Sequence, residues 1–370
     1  MGQDGDVIEL TAVWEPDALG DAFEQLTLPL KSDSEGEVVA TLVRYLPGRA
    51  AEPAGGHPVS SSLRGFWKRL GLHVPKNAVP AESIAHDTDV LYIHGYSDYF
   101  FQTHLAEYWH GLGARFYALD LRKYGRSIRE HQTPGYIDSL ATYDEEIELA
   151  LLQMGHGPAS GESAAQGQES GRKLVLMGHS AGGLVLSLWA DRNPGRASVV
   201  VLNSPWLEYQ LTAAARTVAA PVVGFQARLN PMAPMANIDM GFYHRAIWSQ
   251  RDGEWDFNLA WRPEHGFTVR TGWLNAILAG HARIAAGLTI TAPIFTLLST
   301  KSLLTPRWND DMMQADVAID VNIVAARVHQ LGKLVTIARI PNAMHDVFLS
   351  QKQARDTAFA ELTRWLRAYL

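Results

Sequence analysis

The sequence predicts an α/β fold: a mostly parallel, doubly wound sheet with an N-terminal antiparallel hairpin and one inserted cap. Three observations predict it. From residue 89 onward, short apolar stretches alternate with segments of helical periodicity, and that alternation requires parallel strands joined by crossover helices. The rhythm breaks over residues 204–290 and then resumes, so this segment leaves one edge of the sheet as a cap. Before residue 50, two β-rich stretches flank a cluster of turn residues.

Composition bounds the function. The 370 residues are 47% hydrophobic and 19% charged, enough apolar matter for a large core and too much for a disordered chain. The formal net charge of −7 removes the electrostatic footprint of a nucleic-acid binder. There is no cysteine, which excludes disulfides, thiolate metal sites and a cysteine nucleophile. The start, Met-Gly-Gln-Asp-Gly-Asp, lacks the basic and apolar regions of a secretory signal, and Asp6 breaks the myristoylation pattern. No stretch holds the 18 or more apolar residues of a membrane span. The expectation is a cytoplasmic protein without stable membrane insertion.

The elements follow in order. Residues 1–20 read as an irregular lead-in. Glu24–Leu30 and Glu37–Tyr45 form the hairpin, turned by Ser32-Asp33-Ser34-Glu35-Gly36. Residues 47–60, rich in Pro, Gly and Ala, are a connector, and a short helix is expected around Leu63–Leu70. Asp89–Ile93 is a strand ending at His94-Gly95. A helix then buries Phe101, Leu105, Tyr108, Trp109 and Leu112, and Gly113 stops it. Arg115–Leu121 is the next strand; Leu140, Tyr143, Ile147, Leu151 and Met154 mark a helical face; residues 155–171 read as a solvated loop. Lys173–Met177 is a strand, followed by a helix with Leu184, Val185, Leu188 and Trp189 that Pro194 ends. Ser198–Leu202 and Pro293–Leu298 are strands around the cap. A helix over Val321–Leu331, a strand over Leu334–Ile340 and a helix with Phe359, Leu362, Leu366 and Tyr369 on one face complete the chain.

The chemistry concentrates at Gly178-His179-Ser180-Ala181-Gly182-Gly183, between a strand and a helix. A serine becomes a nucleophile only when its hydroxyl is exposed beside a base. A sharp strand-to-helix turn thrusts Ser180 outward, and glycines let that turn form. A bare Gly-x-Ser-x-Gly string arises by chance in roughly 0.1–0.2 chains of this size, so its placement carries the reading. The oxyanion donors would be the backbone N–H groups of Ala181, at the helix start, and Tyr96, after His94-Gly95. His94 itself reads as a structural hydrogen-bonder.

The base should follow the last strand. His345, in Pro341-Asn342-Ala343-Met344-His345-Asp346, has that address; His281 and His329 sit in helical contexts. The acid has several candidates after Pro293–Leu298. Asp316, in Ala315-Asp316-Val317-Ala318-Ile319-Asp320, is the first choice to orient His345. Asp320 is the second, and also reads as an N-cap. Asp310 and Asp311 read as solvated loop charges.

In the order Ser180, Asp316, His345, with His94-Gly95 upstream, the chain resembles the α/β-hydrolase superfamily. Within it, the chain is similar to lysophospholipase or monoacylglycerol-lipase-like serine hydrolases of the serine aminopeptidase type. The matching residues are Tyr92-Ile93-His94-Gly95-Tyr96, Ala118 through Ser127, Gly178–Gly183, Ala315–Asp320 and His345-Asp346. Lys123 stands where a glycine is usual, and about a dozen extra residues precede the acid. The resemblance covers about residues 24–370 apart from the insert; residues 1–203 and 291–370 are then expected to be the α/β-hydrolase core, and 204–290 the cap (lid).

The expected reaction is cleavage of a small-molecule carboxylic ester through an acyl-enzyme on Ser180, with no cofactor and no metal. Tryptophans 206, 248, 255, 261, 273 and 308 fall between Ser204 and Trp308. Most should fill the cap's own core, and a few would line an apolar acyl pocket. Arg270 and His281 are candidate contacts for a polar head group. A non-catalytic receptor on the same fold and an amidase or peptidase are the competing readings.

Overall fold

The computed structural model describes residues 13–47, 84–157, 171–209, 213–235 and 239–370. The helix expected around Leu63–Leu70, most of the connector and most of the 155–171 loop lie outside these residues. Nine strands form one sheet: β1 (Glu15–Pro16), β2 (Phe23–Asp33), β3 (Gly36–Tyr45), β4 (Thr88–Ile93), β5 (Arg115–Asp120), β6 (Lys173–His179), β7 (Val199–Asn203), β8 (Ile294–Ser299) and β9 (Val335–Ile340). The spatial order is β1-β2-β3-β5-β4-β6-β7-β8-β9. Pairings from β1 through β3 to β5 are antiparallel, and all those from β5 to β9 are parallel. The expected hairpin is β2–β3. It turns at Asp33, whose carboxylate accepts from the Glu35 N–H at 2.8 Å, and at Gly36 with φ 109°.

The helices cover both faces of the sheet. They are α1 (Thr103–Gly111), α2 (Asp144–Met154), α3 (Ala181–Arg192), α4 (Ala213–Leu229), α5 (Phe242–Ile247), α6 (Thr271–Ala285), α7 (Val321–Val328) and α8 (Lys352–Tyr369). Leu105, Tyr108 and Trp109 of α1 join Phe359, Leu362 and Leu366 of α8 in one core layer. Ile147, Leu184, Leu188, Ile277 and Val324 belong to the other. Phe101 and Leu112 lie just outside α1, and Leu140 and Tyr143 sit on a 3-10 turn leading into α2. The segment over residues 204–290, where the strand–helix rhythm breaks, contains three helices, α4, α5 and α6. The lead-in is not irregular throughout either. Beside β1, buried Asp17 holds the Arg126 guanidinium at 2.5 Å, a long-range pair that no local pattern announces.

Strand β4 is followed by β5 on one side and β6 on the other, so the strand order reverses there. Crevices at the carboxyl ends of strands form at such a reversal. The loops leaving β4 and β6 carry His94-Gly95-Tyr96 and Ser180. Among the described residues no helix is long and apolar enough to cross a membrane.

The opposite end of β4 is locked by charge. Asp89 is fully buried and accepts from Arg115, Arg172 and the His156 ring. Burial raises its pKa, but these donors outweigh it and bring it down to about 2. A carboxylate depressed in the folded state stabilises the fold above its unfolded pKa, near 3.9, and loses that stabilisation as pH falls toward 2. The shift corresponds to roughly 2 kcal/mol. In urea titrations from pH 5 to pH 2, the wild type should lose about this much at Asp89. Asp89→Asn should show a shallower acid slope and lower stability at pH 7.

Candidate active site

Ser180 sits between β6 and α3 with φ 50° and ψ −118°. Such a backbone is strained for any residue but glycine, of order 1–3 kcal/mol, and survives only where its surroundings over-determine it. The surroundings are close. A Cβ on Gly182 would come within 2.4 Å of the His94 and Ile93 carbonyl oxygens, and one on Gly178 within 2.7 Å of the Gly182 oxygen. The glycines therefore let the elbow lie directly against the end of β4. The Ser180 N–H donates to the Asn203 carbonyl at 3.0 Å, and its carbonyl accepts from the Trp206 N–H at 2.9 Å.

His345 comes from the loop after β9 and is almost entirely buried. Its Nε2 lies 3.0 Å from Ser180 Oγ, and its Nδ1 lies 2.9 Å from Asp316 Oδ2. The carboxylate accepts at Nδ1, which leaves Nε2 to accept the serine proton. Asp316 is fully buried, and its other oxygen takes the N–H groups of Ala318 and Ile319 at 2.8 and 2.9 Å.

The residues between β8 and Asp316 loop away and return. A parallel bridge joins Ser302 to Asp316, closed by the Asp316 N–H on the Lys301 carbonyl at 3.0 Å. The extra residues thus cost the acid no reach. Asp320 instead caps α7, accepting from Asn322 and Ile323 at 2.9 and 3.1 Å. Asp310 and Asp311 lie exposed on a 3-10 turn.

The loop after β4 meets Ser180 from the other side. A Cβ on Gly95 would lie 3.1 Å from that of Ser180. His94 Nε2 accepts the Leu121 N–H at 3.1 Å, so its Nδ1 donates to the Gly95 carbonyl at 2.7 Å. A trans peptide points its N–H opposite to its C=O. Fixing the Gly95 carbonyl on His94 therefore fixes the direction of the Tyr96 N–H. Ala181 is the first residue of α3, where the N–H has no acceptor within the helix.

Aromatic rings form a wall beside this loop. Tyr96 lies 4.0 Å from Trp273 and 6.2 Å from Phe267 between ring centroids, and Trp206 lies 6.0 Å from Trp273. Burial pushes the Tyr96 hydroxyl well above its ordinary pKa. Behind Gly95 and Ala181, bounded by Tyr124, Tyr143 and Trp273, a cavity of about 10 Å³ has room for about one water. Of the head-group candidates, His281 faces the Trp206 carbonyl at 2.9 Å, and Arg270 donates to the Met232 carbonyl at 3.0 Å.

Several residues escaped the sequence reading. Asn203 joins the two halves of the site: its carbonyl takes Ser180 N–H, while its side chain holds Asp346 at 2.6 Å and the Val347 N–H at 3.1 Å. Its place as the last residue of a parallel strand was the available signal. Buried Asp346 also takes Gln102 and the Phe348 N–H. His179 packs 4.9 Å from the His345 ring, and burial lowers its pKa, which favours the neutral imidazole. Tyr243 of α5 stands edge-on to His345 at 5.2 Å; burial raises its pKa well above the usual phenol value. Among the described residues no cluster of three or more His, Asp or Glu is arranged to hold a metal ion.

Comparison with known families shows what the chain is similar to. The family model for serine aminopeptidase, S33 matches residues 85–351. The chain belongs to the serine aminopeptidase S33 family, within the α/β-hydrolases. That match contains Tyr96, Ser180, Asp316 and His345, together with the whole of residues 204–290. Solved structures of the same fold include a monoacylglycerol lipase from Paleococcus ferrophilus, 18% identical with TM-score 0.53, covering 76% of this chain and 95% of that one. A soluble variant of monoglyceride lipase from Saccharomyces cerevisiae, in complex with a substrate analog, is 13% identical with TM-score 0.58 and coverages of 92% and 94%. A thermostable carboxyl esterase from Bacillus coagulans is 14% identical with TM-score 0.55 and coverages of 94% and 99%. At these identities the likeness is one of fold. No curated protein matches the sequence. In this S33 family member Lys123 stands at φ 64°, a left-handed position that favours glycine. Its ammonium is buried between Asp33 and Glu35 at 2.6 and 2.5 Å, which offsets the cost of a side chain.

Proposed function

We propose that the protein is a serine hydrolase that cleaves carboxylic esters with apolar acyl groups through an acyl-enzyme. One observation carries the reading: the unbroken hydrogen-bonded chain Ser180–His345–Asp316, with Ser180 on a strained turn beside two candidate backbone donors. Ser180 Oγ attacks the ester carbonyl as His345 Nε2 takes its proton. The oxyanion is held by the Tyr96 and Ala181 N–H groups, where one donor is worth roughly 3 kcal/mol. His345 returns the proton to the leaving alkoxide. Water then enters by the same route and releases the acid. Asp316 fixes the imidazole tautomer and stabilises the imidazolium. In this reading residues 204–290 form a cap over a core of 1–203 and 291–370.

The aromatic wall of Tyr96, Trp206, Phe267 and Trp273 supports an apolar acyl group. The family's name makes an aminoacyl amide the second reading. The carboxylates around the site argue against it. Asp98 is paired with Arg262, Asp346 is held by Gln102 and Asn203, and Asp316 holds His345. None of the three is left for a substrate's ammonium group.

The test is a chain-length series of p-nitrophenyl esters beside matched aminoacyl anilides. Ester turnover should exceed anilide turnover by at least about 100-fold in kcat/KM, a difference of roughly 3 kcal/mol in transition-state stabilisation. Faster anilide cleavage would move the protein to the peptidase reading. Ligand binding without turnover of either would make it a receptor.

A further inference from the structure

The loop after β4 is tied to the insert at four consecutive residues. Tyr96 Oη donates to the Phe267 carbonyl at 3.2 Å, and the Phe267 N–H donates to Ser97 Oγ at 3.0 Å. Asp98 accepts from Arg262 Nε at 3.1 Å, with both side chains buried. Tyr99 Oη accepts the Asn258 N–H at 2.7 Å. Trp261 packs edge-on against Tyr99, and Phe257 lies on Phe101. Ser97 meanwhile has φ 51°, a left-handed backbone that costs free energy for a non-glycine residue and relaxes unless held. Tyr96, the oxyanion donor of the proposed mechanism, is the residue immediately before it.

Arg262 is where these ties converge. Its guanidinium lies 4.9 Å from both the Tyr243 and Phe257 ring centroids, while Nε holds Asp98. Tyr243 in turn stands edge-on to His345. One cation therefore braces the loop of the oxyanion donor and the ring that flanks the base.

We propose that Arg262 is a positioning residue: through Asp98 it holds the strained 96–99 loop so that the Tyr96 N–H stays aligned with Ser180. This rests on the serine-hydrolase reading above. It makes segment 257–267 a support of the oxyanion loop.

The experiment compares wild type, Arg262→Met, Arg262→Lys and the double variant Arg262→Met/Asp98→Asn. The double variant avoids leaving Asp98 buried and unpaired. Each is checked for folding by thermal unfolding, then assayed on p-nitrophenyl butyrate and on its thionoester, in which sulfur replaces the carbonyl oxygen. Displacing a catalytic group by about 1 Å can cost on the order of 100-fold. Arg262→Met should therefore lower kcat about 10–100-fold, with KM within about threefold. The oxygen-to-sulfur rate ratio should fall with it, because that ratio reports how well the donors fit an oxyanion. Arg262→Lys, which keeps a cation on Asp98, should recover most of kcat and the ratio. If Arg262→Met does not fold, the double variant is read in its place.

Folded variants with unchanged kcat and ratio overturn the proposal. So does a loss of kcat at constant ratio without recovery by lysine, which is the signature of a structural role alone. A wild type that neither turns over esters nor is labelled at Ser180 by a fluorophosphonate removes the functional reading and this inference together. Turnover in the wild type with insensitive variants removes this inference alone.

Discussion

Ser180→Ala should abolish ester turnover, by on the order of 10⁴–10⁶-fold in kcat, while the protein stays folded. In the proposed mechanism the lost oxygen forms the acyl-enzyme, and it is 3.0 Å from His345 Nε2. The backbone around it does not depend on that oxygen. Ser180 N–H remains on the Asn203 carbonyl, its carbonyl remains on Trp206, and alanine meets the same φ of 50° that serine does. Urea midpoints of the two proteins should therefore agree to within about 0.5 kcal/mol. Ser180→Gly supplies the complementary result. Glycine adopts this backbone without strain, so it should be about 1–2 kcal/mol more stable than Ser180→Ala while equally inactive. That stability gain would measure the strain held at the turn. Fluorophosphonate labelling of the wild type, absent in both variants, checks the same atom by mass. Residual activity within tenfold of wild type in Ser180→Ala would remove Ser180 as nucleophile.

The positions of Ser180 and His345 could be read from the sequence because each has a local address. Gly178 through Gly183 lies between an apolar strand and a helical pattern, and His345 is the histidine that follows the last strand. The acid was harder for a physical reason. Residues 300–315 form a loop whose return is fixed by the Ser302–Asp316 bridge, and pairing between residues 14 apart leaves no periodic trace. Hence Asp316 and Asp320 both stayed open until their oxygens were seen, one on an imidazole and the other on a helix N-terminus. The braces around the site were less legible still. Asp98 meets Arg262 across 164 residues of chain, and Asn203 meets Asp346 across 143. The sheet was legible from alternation alone, yet α4, α5 and α6 were not: Pro221 sits inside α4, α5 is a six-residue turn of helix, and no strands alternate with them. Even the tryptophans there divide their work: Trp255 donates to the Leu349 carbonyl and stacks on His104, while Trp206 and Trp273 line the wall near Ser180.

Asp316→Asn separates orientation from charge more sharply than any other substitution at the site. Asp316 Oδ1 accepts two backbone N–H groups, from Ala318 and Ile319, so the asparagine must keep its carbonyl oxygen there. Its amide nitrogen then falls where Oδ2 stood, facing His345 Nδ1. An amide can only donate at that point, so Nδ1 must become the acceptor and the ring proton moves to Nε2. A protonated Nε2 cannot take the proton of Ser180 Oγ, though every heavy atom is in place. Turnover at pH 7 should fall by about 10⁴-fold with little change in stability, as expected when a triad imidazole is held in the wrong tautomer. Asp320→Asn is the control. Asparagine caps a helix about as well as aspartate, so both kcat and stability should stay close to wild type. If the two variants instead lost activity equally, the loop 315–320 as a whole, and not the Asp316 carboxylate, would be what orients His345. Fluorophosphonate labelling rates should rank wild type and Asp320→Asn together, far above Asp316→Asn. Phosphonylation of Ser180 by the probe, with fluoride leaving, needs the same imidazole to accept the same proton.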